Sequence, residues 1–168
     1  MIARRTGISW VRFAAPSGAL LLVALGHAPG RAEQLWFLPE LPVTKVEEVM
    51  RLARDNLHLA VLPDGSHVPR ETPEEQARPL ISEDLARRVV DVGIVSAMAK
   101  WCGVEWFDSN YRRFMSTERA SGRPPKVMAY LGLMHGTTMN LMDSDDGAAC
   151  TERQRGHIAT FIAARWPE

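Results

Sequence analysis

The sequence lacks the short motifs that mark the common catalytic sites. It contains no G-x-S-x-G, S-x-x-K or H-E-x-x-H motif and no glycine-rich phosphate loop. Its histidines also lack the spacing of zinc ligands. These absences argue against hydrolases with a nucleophile elbow, zinc proteases and P-loop enzymes, and they favour a protein without catalytic activity.

The chain also lacks an excess of charge of either sign. Lysine and arginine number 20, and so do aspartate and glutamate. Residues 1–32 hold four arginines and no acid, so a chain without them carries 16 basic against 20 acidic side chains. Nucleic acids and anionic lipid surfaces select a concentrated basic surface. We therefore expect no nucleic-acid partner, and instead another exported or membrane-associated protein.

The N-terminal apolar run, residues 18–26, is too short to cross a membrane, which takes about 20 residues. Arg4, Arg5 and Arg12 precede it, and the small-residue spacing of Gly30 and Ala32 follows it. This order is typical of a secretory signal peptide. We predict a signal peptide over residues 1–32, cleavage near Ala32, a periplasmic or secreted product and no stable membrane span after cleavage. Retention of the segment as an anchor is the alternative.

Cysteine is scarce, with only Cys102 and Cys150 in the chain. An even number of cysteines in an oxidising compartment favours a disulfide. The sequence therefore predicts a bond between Cys102 and Cys150, with two separate buried thiols as the alternative. The remaining 136 residues are enough for one domain with its own core.

Helical signals dominate this domain. Residues 33–43, broken by Pro39 and Pro42, are expected to form an extended arm, and residues 44–168 a helical domain. A capping box at Thr44 predicts a helix over 45–55, and Ser82 caps a central helix that is apolar on nearly every side as far as Trp101. Further helices are expected over about 106–119, over 126–142 and from Thr151 onward.

The segment between the first two long helices is rich in proline. We expect a connector over residues 63–81, in which Thr72 caps a helix of one or two turns. The Pro63-Asp64-Gly65 turn predicts a short hairpin near residues 57–68. The predicted fold is all-α, a compact single-domain array of four to five helices with one disulfide.

One stripe of the fourth predicted long helix suggests a metal site. His135, Met139 and Met142 are spaced to share a helix face, and imidazole with thioethers suits copper(I). The same stripe extends back through Met128 and Leu131, which is also the pattern of a helix facing the core. Both a copper site and core packing remain interpretations of this pattern, and no other cofactor is expected.

Aromatic residues and arginines come together around residue 110. Trp106, Tyr111, Arg112 and Arg113 have the composition of an interaction surface, although clustered aromatics also form core corners. Glu105 lies beside these aromatics, where burial would raise its pKa and suit it to general acid catalysis, whereas a helix cap or a surface ion pair is the alternative.

Three functions follow from these features, in order of preference. The first is an exported, non-catalytic helical protein that serves as a periplasmic accessory or protein-interaction module. The second is a periplasmic copper-binding protein that uses His135, Met139 and Met142. The third is a small hydrolase.

Overall fold

The computed structural model describes residues 43–142 and 149–166, and this part of the chain is all-α. The predicted signal peptide and the predicted arm up to residue 42 lie outside the described residues, as does the turn over residues 143–148. No strand occurs within the described ranges. The helices are α1 (Val43–Asp55), a short 3₁₀-helix (Leu57–Leu59), α2 (Pro73–Gln76), α3 (Glu83–Trp101), a π-helix (Phe107–Arg112), α4 (Arg113–Ala120), α5 (Pro125–Met142) and α6 (Glu152–Arg165).

Helix α3 is the centre of the domain, as the sequence predicts. The Ser82 hydroxyl accepts a hydrogen bond from the backbone N–H of Leu85, which caps the first turn. Ten residues of α3 are buried, and the helix contacts α1, α5, α6 and the π-helix. It ends at Trp101, where Gly103 adopts a positive φ of 65° that glycine allows at no steric cost.

Helix α5 packs closely against α3 and also against α1. The approach to α3 is close at Gly93, where an added Cβ would come within 2.6 Å of the Thr138 side chain. On the other side of α5, the Tyr130 hydroxyl donates a hydrogen bond to the Met50 carbonyl of α1 at 2.9 Å. Helix α1 itself is described from Val43, one residue before the predicted cap at Thr44.

The proline-rich connector is held against the helices by one buried carboxylate. Arg54 of α1 donates to Glu71 at 2.7 Å, and Lys126 of α5 lies 2.9 Å from the same side chain. The hydrogen bond from Arg54 and the nearby Lys126 hold the pKa of Glu71 below its ordinary value. The predicted capping box at Thr72 is confirmed, with Glu75 as its partner. The predicted hairpin is limited to a single antiparallel bridge.

The disulfide between Cys102 and Cys150 is confirmed. It joins Cys102, at the end of α3, to Cys150, which directly precedes Thr151, the N-cap residue of α6. Arg155 of α6 adds a hydrogen bond to the Cys102 carbonyl at 2.9 Å. Ile158 and Ile162 of α6 pack on Val95 and Ala99 of α3, so covalent and apolar contacts hold α6 to the same end of the central helix.

None of the helices in the described ranges combines the length and the apolar character that crossing a membrane requires.

Candidate functional site

The third predicted long helix differs from its prediction at its beginning. A continuous α-helix over about residues 106–119 is expected from the sequence, but Phe107–Arg112 form a π-helix, and α4 follows it. The backbone N–H of Tyr111 accordingly donates to the Trp106 carbonyl, five residues earlier, at 3.0 Å. Such wide turns are rare and occur often at functional sites.

A buried asparagine accounts for this wide turn. Asn110 of the π-helix is fully buried, and its amide donates to the Ser96 hydroxyl at 3.0 Å and to the Val92 carbonyl at 3.1 Å. Its side-chain oxygen accepts from the indole N–H of Trp166 at 3.0 Å. Leaving such a polar group unpaired in the core costs roughly 1–3 kcal/mol. These contacts therefore favour the wide π-helical turn, because it directs the Asn110 side chain toward α3.

Glu105 acts as a cap of the π-helix. Its carboxylate accepts from the backbone N–H groups of Asp108, at 2.8 Å, and Ser109, at 2.9 Å. Desolvation raises the pKa of Glu105, but these hydrogen bonds together lower it by more, so the pKa lies below its ordinary value. A general acid needs the opposite shift. The capping alternative is therefore the one that the geometry supports.

Glu105 also lines a pocket of about 450 Å³ between the π-helix and α6, together with Arg113 and Trp166. Two apolar residues of α6, Ile162 and Ala163, also line this pocket. The Glu105 carboxylate accepts backbone N–H groups at the start of the π-helix while the residue lines this pocket.

His135 belongs to the same buried polar network. Its Nε2 lies 2.9 Å from the Ser96 hydroxyl, whose oxygen already accepts from Asn110. Burial lowers the pKa of His135 to about 4, so the imidazole is neutral above that pH. The ring centroids of Tyr111 and Trp106 lie 4.3 Å and 5.8 Å away.

The stripe proposed as a copper site has the surroundings of a core-facing helix. His135 is buried, Met142 packs on the main core cluster, and Met139 is half-buried. Met128 and Leu131, earlier on the same stripe, are buried as well. Within residues 43–142 and 149–166 there is no cluster of three or more His, Cys, Asp or Glu side chains that could hold a metal.

The predicted aromatic and arginine patch is divided by the structure. Trp106 is half-buried and stacks on His135, which Tyr111 also contacts. Tyr111, Arg112 and Arg113 line one surface pocket of about 470 Å³. Its remaining lining residues, which the patch did not include, are Phe107, Asp108, Met115, Ser116 and Arg119. Phe107, Tyr111, Met115 and Arg119 recur at every fourth position, which is the signal by which they could have been found.

A second pocket of about 470 Å³ adjoins the first, because Met115 and Arg119 line both. It continues from α4 to the start of α5 and to the loop between the bridged residues Val61 and His67, which we call the bridge loop, and its lining there is mainly apolar. We call the two pockets together the arginine groove. The further residues of the groove are Val61, Leu62, Pro63, Arg123, Pro125, Met128 and Ala129.

The arginine groove is electropositive. Among the described residues that line it, four are arginines and one, Asp108, is acidic. Arg112 is paired with Asp108, and Arg123 donates to Glu118 at 3.0 Å. Arg119 is exposed, and no carboxylate in the described part of the chain pairs with it. The groove can therefore attract a negatively charged group at its middle.

Comparison with known proteins does not place the chain in a family. No family model, curated protein or solved structure matches it.

Proposed function

We propose that this protein is an exported, non-catalytic helical module that binds another protein through the arginine groove. The observation that supports this proposal most directly is the row of Phe107, Tyr111, Met115 and Arg119 along one surface groove. Aromatic and arginine side chains carry much of the binding energy at protein interfaces.

The apolar residues at the two ends of the groove are unusually exposed. Phe107 is 48% exposed, and Val61, at the far end, is 61% exposed. Large apolar side chains that share a groove with arginines mark interaction sites more often than isolated exposed residues do. The π-helix that carries Phe107 and Tyr111 is held by Asn110 and Glu105, so the groove is built on fixed backbone.

The disulfide supports export. Disulfides such as Cys102–Cys150 persist in oxidising compartments and are rare in the cytosol. Together with the signal peptide predicted over residues 1–32, this supports a periplasmic location as an accessory protein. Mass spectrometry of the protein purified from cell fractions tests the proposal. We expect a mature N-terminus near Glu33 and two oxidised cysteines, and an intact Met1 terminus in the cytosolic fraction would refute export.

Binding is tested by affinity capture and cross-linking with the mature protein as bait. The groove variant combines Phe107→Ala and Arg119→Glu. Its matched control combines Leu141→Ala and Arg153→Glu, which change an apolar residue that is 50% exposed and an exposed arginine outside the groove.

We expect one protein to be captured by the wild type and the control and lost with the groove variant. Circular dichroism must show that all three are folded. Equal capture by the groove variant and the wild type would exclude the groove as the binding site.

A further inference from the structure

We infer that the arginine groove binds a short, extended, acidic segment of the partner protein, with apolar side chains at both ends of the segment and carboxylates between them. This inference rests on the proposed function and specifies the chemistry of the partner.

The length of the groove suits a short extended peptide. Phe107 and Arg119 are twelve residues apart along the π-helix and α4, which is at most about 18 Å at the α-helical rise of about 1.5 Å per residue. An extended chain advances about 3.3 Å per residue, so about five or six residues cover this distance. The bridge-loop end, with Val61 and Leu62, adds room for one further side chain.

The order of apolar and charged side chains along the groove determines the order of complementary side chains that we expect in the bound segment. Phe107 offers an exposed ring at one end, and Val61, Leu62 and Met128 form an apolar pocket at the other. Arg119 lies where the two pockets meet and has no carboxylate partner among the described residues. A guanidinium binds a carboxylate through two parallel hydrogen bonds, which gives direction as well as attraction.

Charge and apolar content together favour a peptide over a nucleic acid. The chain as a whole has equal numbers of basic and acidic residues, and only four arginines line the groove. Strands of nucleic acid are bound by longer basic tracks with several stacking rings. Here Phe107 is the one strongly exposed ring in the described groove, and the far end is aliphatic.

The test is a selection from a library of random eight-residue peptides displayed on phage, with the folded mature protein as the target. The variant Arg119→Glu is used for counter-selection. We expect enriched peptides that contain two or more acidic residues next to an aromatic or aliphatic residue. The affinity of a selected synthetic peptide is then measured by fluorescence anisotropy.

Arg119→Glu should weaken peptide binding by about tenfold or more, because it replaces an attraction with a repulsion, while Arg153→Glu should leave it unchanged. Binding to the wild type should weaken as salt is raised. Replacing the peptide's acidic residues with arginine should restore binding to Arg119→Glu. Restored binding after both charges are reversed therefore distinguishes a direct contact between position 119 and the peptide from a loss of folding.

Four results would overturn the inference. The first is a selection without acidic enrichment, and the second is equal peptide binding by Arg119→Glu. The third is preferential binding of a single-stranded oligonucleotide. The fourth is a self-association in analytical ultracentrifugation that Arg119→Glu abolishes. A partner whose capture is lost with the groove variant, but which does not compete with acidic peptides, would contradict this inference and leave the proposed function intact.

Discussion

The Nε2 atom of His135 lies 2.9 Å from the hydroxyl oxygen of Ser96, so a hydrogen bond between two buried side chains joins α5 to α3. The same hydroxyl accepts from Asn110, which shapes the π-helix beneath the arginine groove. The stability of the core and the geometry of the groove are therefore linked through one serine.

The first prediction concerns pH. Burial lowers the pKa of His135 from 6.5 to about 4, so between these values the unfolded chain binds a proton that the folded chain does not. The free energy of unfolding should therefore fall as the pH drops from about 6.5 to about 4, by up to about 3 kcal/mol from this group. Urea unfolding at several pH values measures it. His135→Gln should remove this part of the slope, and an unchanged slope in that variant would contradict the assignment.

The second prediction concerns the asparagine of the π-helix. Asn110→Ala removes one of the two hydrogen bonds of the Ser96 hydroxyl and leaves the Trp166 indole N–H without its partner, and we expect it to lower the free energy of unfolding by about 2–3 kcal/mol. Asn140→Ala, at an exposed position of α5, should change it by less than about 0.5 kcal/mol. Equal effects of the two variants in chemical denaturation would show that the buried network contributes nothing.

Two helical glycines should respond to alanine with opposite signs. At Gly93 an added Cβ would lie 2.6 Å from Thr138, so Gly93→Ala should cost about 1–3 kcal/mol by overpacking. At Gly136 no side-chain or distant backbone atom lies within 4 Å of an added Cβ, so Gly136→Ala should stabilise the helix by about 0.5–1 kcal/mol. Thermal unfolding of both variants measures the difference. A higher melting temperature for Gly93→Ala would refute the close approach of α3 and α5.

The disulfide gives a fourth prediction. Its two cysteines are 48 residues apart, and closing a loop of that length stabilises the folded chain by about 4 kcal/mol in the chain-entropy model. The double variant Cys102→Ser, Cys150→Ser should lose about this much free energy of unfolding. A reducing agent should destabilise the wild type and leave the double variant unaffected. Destabilisation of both to the same degree would mean that the reducing agent acts elsewhere.

Much of the fold could be predicted because its signals are local. Ser82, Thr72 and Thr151 each accept from a backbone N–H three residues later, and Gly103 ends α3 in a conformation that glycine favours. The burial of α3 and the disulfide could likewise be predicted without knowledge of packing, from the long apolar run of α3 and from the even number of cysteines. These features depend on residues within a few positions of one another or on composition.

The candidate site was predicted only in part. Tyr111, Arg112 and Arg113 do line one pocket, but Trp106 is not part of its lining. His135 was expected either to pack in the core or to bind copper, and the side chain is buried beside the Ser96 hydroxyl. Arg119 was missed because its importance comes from lying where two pockets meet.

The sequence by itself determined the all-α class, the capped starts of α2, α3 and α6, and the cysteine pair, because each depends on short-range backbone chemistry or on a count of residues. Only the tertiary structure decided the π-helix, the surroundings of His135 and the course of the groove. The physical reason is the separation of the residues involved. Ser96 and His135 are 39 positions apart and Asn110 and Trp166 are 56 apart, so their hydrogen bonds exist only once the helices have packed.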